Sequence, residues 1–261
     1  MKIWYMNGAG NDFMVMDARG LDLNFEKLAL ELCAINGADG FMTVDDSDVA
    51  DFRLHFYNSD GSRGEMCGNG SRCICRFAFE HGIAGETMTV QTDAGLVYGQ
   101  RLTESQYRVR LNNPGILDLH RKENAAYVEL GCPGVPHGVV EMPGLRWEDR
   151  EKLRQMAKAL RYDPAFPKGA NINLYTWLGD AHIRILTYER GVEDYTLACG
   201  TGTASTACTL FAEGKLPGQR LIAENPGGTL TVDIQAENGE ITAVYLEGPT
   251  EVVEIFDTDI H

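Results

Sequence analysis

The segments Cys67-Gly68-Asn69-Gly70 and Cys199-Gly200-Thr201-Gly202 indicate how this chain is organised. They lie 132 residues apart in a sequence of 261 residues, and each follows a β-type strand and a polar loop. Each cysteine is followed by a phenylalanine 12 positions later and by glycines 15 and 28 positions later. This agreement in spacing indicates an internal duplication with one distinctive cysteine in each repeat.

The segments after the two cysteines predict buried helices. Residues 197–212 carry no charge, and a helix that is apolar all round must be enclosed. The helix after Cys67 is charged only at Arg72, Arg76 and Glu80. Strand-like segments fill most of the remaining sequence. We therefore predict a mixed α/β fold of two pseudo-symmetric domains, each with strands wrapped around a central buried helix.

Domain boundaries follow from the duplication. A proline and a charged patch interrupt the β pattern near residues 113–121. We assign residues 1–115 to an N-terminal repeat domain and residues 116–249 to a C-terminal repeat domain. The C-terminal strand at 250–261 is a candidate to complete the first domain. Asn24 as N-cap and Gly37 as terminator predict a helix over Phe25–Asn36, with a counterpart over Trp147–Arg161.

Composition excludes several classes of protein. A net charge of −15 opposes binding to nucleic acid or to an anionic membrane surface. No run approaches the roughly 20 apolar residues of a membrane span, and no secretory signal pattern is visible, so we expect a cytoplasmic protein. The seven cysteines, odd in number and without a Cys-x-x-Cys pair, argue against a disulfide framework and a structural zinc site.

The glycines beside Cys67 and Cys199 point to acid–base chemistry. They allow close approach of a ligand and leave backbone N–H groups bare at a helix start, where a carboxylate binds and a thiolate is stabilised. Two equivalent cysteines from two repeats suggest that one removes a proton from a carbon and the other returns it from the opposite side. This predicts racemisation or epimerisation next to a carboxylate.

Seven segments along the chain form a more specific pattern: Asn7-Gly-Ala-Gly-Asn-Asp-Phe13, Asn58-Ser-Asp-Gly-Ser62, Met66-Cys-Gly-Asn-Gly-Ser-Arg-Cys73, Val135-Pro-His137, Gly169-Ala-Asn171, Glu189-Arg-Gly191 and Ala198-Cys-Gly-Thr-Gly202. In this order and relative spacing, over nearly the whole chain, they resemble the diaminopimelate epimerase family. This resemblance implies interconversion of LL- and meso-diaminopimelate, on the route to lysine and peptidoglycan, without pyridoxal phosphate or metal. It also implies a small amino-acid substrate and a homodimer.

The resemblance implies a role for each matching residue. The residues implied in catalysis are Cys67, Cys199, His137 and Glu189. The residues implied in substrate binding are Asn11, Asn58, Gly68, Asn69, Asn171, Arg190, Gly200 and Thr201. Two positions depart from the family pattern: Val135 stands where asparagine is usual, and Tyr195 stands where acidic residues are common.

Other interpretations remain open at this point. The chain could be a two-cysteine racemase of another amino acid or a non-catalytic amino-acid-binding protein. A cysteine hydrolase would leave the second cysteine loop unexplained, and the Gly-x-Gly segments lack the third glycine of a dinucleotide-binding fingerprint. Single residues also have structural interpretations: turns for Asn11, Asn58 and Asn171, a surface ion pair for Arg190, a solvated charge for Glu189 and a structural role for His137.

Overall fold

The computed structural model describes residues 1–64 and 67–258. The chain divides into two compact units. The first contains residues 1–109 and the described part of 248–261, and the second contains residues 110–247. The repeat boundary between residues 115 and 116 stays a prediction of the duplication.

The first unit combines strands from both ends of the chain. Its elements are β1 (Lys2–Gly8), β2 (Asn11–Asp17), α1 (Phe25–Asn36), β3 (Gly40–Asp45), β4 (Phe52–Asn58), β5 (Arg63–Gly64), α2 (Gly68–Glu80), β6 (Thr87–Thr92), β7 (Gly95–Arg101), β8 (Gln106–Leu111) and β18 (Glu251–Asp257). Apart from the short β5, the strands pair in the order β18-β1-β2-β3-β4-β6-β7-β8. The β2–β3 and β4–β6 pairs are parallel and the others are antiparallel.

The second unit repeats this topology. Its elements are β9 (Pro114–Lys122), β10 (Ala125–Gly131), β11 (Gly134–Glu141), a 3₁₀ turn (Trp147–Asp149), α3 (Arg150–Arg161), β12 (Asn171–Gly179), β13 (His182–Glu189), β14 (Asp194–Tyr195), α4 (Gly200–Ala212), β15 (Arg220–Asn225), β16 (Gly228–Glu237) and β17 (Glu240–Pro249). The order is β9-β10-β11-β12-β13-β15-β16-β17, with β11–β12 and β13–β15 parallel. The duplicated, mixed α/β fold predicted from the spacing is confirmed.

The first peripheral helix is formed as its sequence predicts. Asn24 Oδ1 accepts a hydrogen bond from the Lys27 N–H at 2.9 Å, and Gly37 ends α1 in the left-handed region with a φ of 68°. Leu28 and Leu32 lie in the core of the first unit. In the second unit, the predicted helix begins with a 3₁₀ turn, and the α-helix starts only at Arg150. Such tightened turns are frequent at helix starts.

The helices behind the two cysteines are the centres of their units. Most of α2 and α4 is buried: residues 68–75 and 202–210 are enclosed on all sides. Strands β1, β2, β3 and β7 pack around α2, whereas β9–β12, β15 and β16 pack around α4. Burial of both helices confirms the prediction made from the uncharged segment after Cys199 and the few charges after Cys67. Among the described residues, no helix has the length and hydropathy that a membrane crossing needs.

Candidate active site

Cys67 occupies the N-cap of α2. Its backbone is extended, and its sulfur accepts a hydrogen bond from the Gly70 N–H at 3.5 Å. The side chain is half-buried, and the carbonyl accepts the first helical bond, from the Ser71 N–H at 2.7 Å. The sulfur therefore lies where the unpaired N–H groups of the helix start favour negative charge.

Asn69 is held by its neighbours in the first turn of α2. It is 3% exposed, its Nδ2 donates to Asn11 Oδ1 at 2.6 Å, and its Oδ1 accepts from Arg72 Nη1 at 3.0 Å. Asn11 in turn donates to Asp39 Oδ2 at 3.0 Å. The structure thus brings two predicted binding residues, Asn11 and Asn69, together with Cys67 at one end of the first unit.

Asn58 has a different environment. Its Nδ2 donates to Ser62 Oγ at 2.9 Å, and its backbone N–H donates to the Ser62 carbonyl at 2.8 Å. The side chain is exposed and closes the loop that follows β4. In this structure Asn58 serves a turn, which is the alternative that the sequence left open.

Cys199 occupies the equivalent N-cap of α4 but is more deeply enclosed. It is 8% exposed, and its sulfur lies 3.6 Å from Thr201 Oγ1. Its carbonyl accepts hydrogen bonds from both the N–H and the hydroxyl of Thr203, each at 2.9 Å. Burial raises the pKa of the Cys199 thiol well above its usual range, and the negative charge of Glu189 raises it further.

A buried polar chain leads to Cys199. Thr187 donates to Asn173 Oδ1 at 3.0 Å, and Asn173 Nδ2 lies 3.2 Å from His137 Nδ1 and 3.0 Å from the Gly138 carbonyl. Because the amide nitrogen can only donate, His137 Nδ1 is the acceptor and Nε2 carries the proton. Nε2 then donates to Thr201 Oγ1 at 3.1 Å, which leaves the Thr201 hydroxyl free to donate to the sulfur.

His137 is neutral in this environment. It is completely buried, and burial together with the positive charge of Arg190 lowers the pKa of His137 from 6.5 to about 3. A neutral imidazole can hold Thr201 in one orientation because its two nitrogens have different roles.

Glu189 is the last residue of β13. Its Oε1 accepts a hydrogen bond from Thr196 Oγ1 at 2.6 Å. Its carboxylate also interacts with the Cys199 thiol by charge and by hydrogen bonding. The structure therefore brings Cys199, Thr201, His137 and Glu189 together in the second unit.

The side chain of Asn171 is hydrogen-bonded to the backbone of Arg190. Asn171 Oδ1 accepts from the Arg190 N–H at 2.7 Å, and its Nδ2 donates to the Pro136 carbonyl at 3.3 Å. The Arg190 side chain is exposed and donates to the Lys168 carbonyl at 3.1 Å. Asn171 therefore fixes the loop that presents the exposed Arg190 guanidinium.

Close backbone packing explains the second glycine of the Cys199 segment. A Cβ atom at Gly202 would collide with Asn173 Oδ1, because α4 lies directly on β12 at this point. In the first unit, a Cβ at Gly70 would come within 3.0 Å of Met42 Sδ on β3. The glycines thus permit contact between helix and sheet as well as between backbone and ligand.

Sequence reasoning missed Asn173, Thr187 and Thr196. Asn173 and Thr187 face each other across β12 and β13 and are at most 2% exposed. The available signal was the polar pair Asn171 and Asn173, two residues apart and so on one face of an otherwise apolar strand. Such residues need buried partners, which only the fold supplies.

No metal site is evident in the described part of the chain, since no cluster of three or more His, Cys, Asp or Glu side chains is placed to hold an ion.

The second unit also contains a cavity of about 590 Å³ near the C-terminal end of α4. Tyr175, Thr209 and Glu213 are among its lining residues, whereas Cys199 and the residues around it are not. The cavity is therefore separate from the cysteine site.

Acid unfolding is expected to report the buried state of His137. Because the pKa of His137 falls from 6.5 to about 3 on folding, the unfolded chain binds more protons between these pH values. This part of the free energy of unfolding is present above pH 6.5 and is lost as the pH falls towards about 3. Urea unfolding between pH 7 and 4 should show a shallower loss for His137→Gln than for the original chain. Other acid-sensitive groups act equally in both proteins, so parallel curves would contradict the assignment.

Solved structures share this fold. The crystal structure of a PhzF-family phenazine biosynthesis protein from Bacillus anthracis has a TM-score of 0.75 at 15% identity and covers 100% of this chain and 99% of that chain. A probable proline racemase from Agrobacterium radiobacter K84 has a TM-score of 0.70 at 17% identity, covering 100% of this chain and 93% of that chain. Such low identity shows the fold alone.

Sequence comparison is more specific. A family model described as diaminopimelate epimerase matches residues 3–113 and 132–253. The diaminopimelate epimerase of Aquifex aeolicus (strain VF5) is 34% identical over 279 aligned positions, covering 98% of this chain and 96% of that protein. The diaminopimelate epimerase of Flavobacterium psychrophilum is 33% identical, with 100% of each chain covered. Because the matches extend over both cysteine segments and almost the whole sequence, this chain belongs to the diaminopimelate epimerase family.

Proposed function

We propose that the protein interconverts LL- and meso-diaminopimelate by a two-base mechanism that uses no pyridoxal phosphate or metal. One of Cys67 and Cys199 acts as the thiolate base and the other as the thiol acid, and the roles exchange with the direction of reaction. The enzyme is a cytoplasmic isomerase that supplies lysine and peptidoglycan precursors. On the family resemblance, it works as a homodimer.

The observation that carries this proposal is the equivalent position of the two cysteines. Each is the N-cap of the enclosed helix in its unit, and the two units have the same strand order. A hydrolase would need only one such thiol, and a binding protein would need none. Inversion at carbon needs two, because the proton must leave from one face and return to the other.

The helix starts support deprotonation next to a carboxylate. That step is difficult because negative charge builds up on the carboxylate as the α-proton leaves. The backbone N–H groups at Gly68–Asn69 and Gly200–Thr201 are oriented at helix N-termini, where such charge is stabilised. On the family resemblance, the distal amino-acid end of the substrate is bound by Asn11, Asn58, Asn171 and Arg190. Arg190 is suited to that role because its exposed guanidinium can bind a carboxylate through two N–H groups.

Glu189 and His137 prepare Cys199 for both of its states. The Glu189 carboxylate favours the protonated thiol and can accept its proton when Cys199 has to act as the base. His137 acts through Thr201, whose hydroxyl donates to the sulfur and favours the thiolate. The two groups thus oppose each other, which keeps both ionisation states of Cys199 accessible.

Solvent exchange tests the proposal directly. Reduced protein incubated with LL-diaminopimelate in D₂O should form the meso isomer and should incorporate deuterium at the α-carbon that inverts. Deuterium is expected because a thiol exchanges its proton with solvent before it returns one to carbon. Chiral chromatography with mass spectrometry measures both quantities in one sample.

The same experiment separates the alternatives. Exchange and inversion of another amino acid, with diaminopimelate inert, would indicate a related racemase, and Val135 would then be the first position to examine. Binding of diaminopimelate by calorimetry without exchange would indicate a non-catalytic binding protein. Either result would overturn the proposed activity.

A further inference from the structure

Arg72 is a buried cation that the proposed mechanism does not yet use. It lies in α2 five residues after Cys67 and is 0% exposed. Its Nη1 donates to Asn69 Oδ1 at 3.0 Å and lies 3.5 Å from the Gly68 carbonyl, so the guanidinium folds back towards the start of the helix. Among the described residues, its Nε and Nη2 atoms have no hydrogen-bond partner. A buried guanidinium with unsatisfied donors lowers the stability of the folded chain. We therefore expect Arg72 to have a function that offsets this cost.

The ionisable groups that act on Arg72 are thiols. Burial lowers the pKa of Arg72 to about 10, so it remains cationic at neutral pH, and the groups that oppose this shift are Cys73, Cys67 and Cys75. Burial raises the pKa of Cys73 and that of Cys75 to about 12, which keeps both protonated near neutrality. Cys67 is half-buried and lies at the helix start. It is therefore the cysteine of this group that lies where a helix start favours negative charge.

Among the residues that the structure describes, the other charged groups near α2 have partners of their own. Asp12 on β2 acts on Cys73, and its Oδ1 accepts from Asn7 Nδ2 at 2.8 Å. Arg76, one turn further along α2, pairs with Glu80 at 2.7 Å and donates to the Thr250 carbonyl. Asp39 on the neighbouring loop is bonded to Asn11. Each of these groups therefore has a partner other than Arg72.

The second half-site has the opposite electrostatic character. The position equivalent to Arg72, five residues after Cys199, is the buried Ala204. The charge that acts on Cys199 is the Glu189 carboxylate. The polar residues Asn173 and Thr187 beneath α4 correspond to Met42 and Phe56 beneath α2, which are paired in the same way across β3 and β4. The first unit thus has a buried cation in the helix that begins at Cys67, whereas the second unit surrounds the Cys199 thiol with a carboxylate and neutral donors.

We propose that Arg72 is a positioning residue that keeps Cys67 ionised in the free enzyme and orients Asn69, so that the free enzyme is poised for the direction of reaction in which Cys67 is the thiolate base and Cys199 is the thiol acid. The guanidinium supplies the counter-charge from inside the helix, and its Nη1 holds the Asn69 amide beside the cysteine. The assignment of acid and base rests on the proposed two-base function, whereas the ionisation of Cys67 does not.

Thiol titration tests this proposal without substrate. Iodoacetamide alkylation is followed from pH 5 to 10, and the modified cysteines are located by tandem mass spectrometry. In the original chain, tryptic cleavage after Arg63 and Arg72 isolates Cys67 from the other cysteines. The pH midpoint, rather than the rate, is compared because the two thiols differ in exposure. Cys67 should reach its midpoint at a lower pH than Cys199, and the reverse order would overturn the proposal.

Variants identify Arg72 as the cause. Arg72→Met should raise the midpoint of Cys67 by about one pH unit or more, whereas Arg72→Lys should remain close to the original chain. Arg76→Met is the matched control, since it removes a guanidinium from the same helix, and it should leave the midpoint unchanged. An unchanged midpoint in folded Arg72→Met would overturn the proposal. If Arg72→Met does not fold, the order of the pH midpoints of Cys67 and Cys199 in the original chain still tests the proposal.

The experiments give different results if the proposed function is wrong and if the role proposed for Arg72 is wrong. If the protein showed no α-deuterium exchange with diaminopimelate but its Cys67 midpoint still depended on Arg72, the thiolate assignment would stand and the activity would be wrong. If exchange and inversion occurred with Cys199 ionising first, the activity would stand and the role of Arg72 would be wrong. In an active enzyme, Arg72→Lys should also preserve the acid limb of the kcat profile that Arg72→Met shifts upward.

Discussion

Replacing either Cys67 or Cys199 by alanine should reduce the rate of inversion by about 10²–10⁴-fold, because each variant lacks one of the two proton-transfer groups. The losses should be similar for the two variants, since inversion needs both a base and an acid in every turnover. Affinity for diaminopimelate should change much less than the rate. Chiral analysis of LL and meso product measures the rate, and isothermal titration measures affinity.

The cysteine variants also have an isotopic signature. A variant that keeps only one of the Cys67 and Cys199 thiols can remove a proton and return solvent deuterium only on one face of the α-carbon. Each single variant is therefore expected to exchange the α-hydrogen without inversion, and to do so with only one of the two stereoisomers as substrate. Cys132→Ala is the matched control because Cys132 is exposed and lies outside both helices. Full inversion by either active-site variant, or loss of activity in Cys132→Ala, would contradict the two-base assignment.

Asn173→Leu should be the most damaging substitution beneath α4. Leucine has a similar size but supplies no hydrogen bond, so His137 Nδ1, the Gly138 carbonyl and the Thr187 hydroxyl all lose a buried partner. Unsatisfied buried groups of this kind should lower the free energy of unfolding by about 2–4 kcal/mol. Activity should fall as well, because His137 would no longer be held in the tautomer that donates to Thr201. Urea unfolding at pH 7 measures the first effect and the D₂O assay the second.

An exposed asparagine provides the comparison. Asn36 ends α1 and is exposed, so Asn36→Ala should change the free energy of unfolding by about 0.5 kcal/mol or less. Thr187→Val removes only the donor to Asn173 Oδ1 and should have an effect between these two variants. A stability of Asn173→Leu equal to that of Asn36→Ala would show that the polar chain beneath α4 contributes little.

The sequence predicted those helices well whose formation depends on residues close together in the chain. The N-cap Asn24 and the left-handed Gly37 bound α1 at the residues that its sequence indicated. The uncharged stretch after Cys199 predicted an enclosed helix because a surface without polar groups must be covered wherever it lies. The 3₁₀ turn at 147–149 was not distinguished from the α-helix that follows, since the two differ only in the hydrogen bonds of the first turn.

The side chains that surround Cys67 and Cys199 could not be predicted in the same way. Arg72 is a charged residue on a helix, and the sequence does not indicate that its side chain is fully buried. Asn173 and Thr187 meet because β12 and β13 pair in a particular register, with residues 14 positions apart in contact. His137 reaches Thr201 across 64 positions of sequence. Each of these contacts depends on long-range pairing rather than on local propensity.

The duplication and the buried helix that begins at a cysteine in each repeat followed from the sequence alone, and the sequence also predicts that these cysteines are the reactive groups. Those conclusions follow from spacing, charge pattern and glycine content, which are properties of short segments. The different surroundings of the two half-sites became apparent only from the folded chain, in which buried Arg72 bonds to Asn69 in the first turn after Cys67 and Glu189 acts on Cys199. The physical reason is that the ionisation of a thiol depends on burial and on nearby charges, and both are determined by packing between segments far apart in the chain.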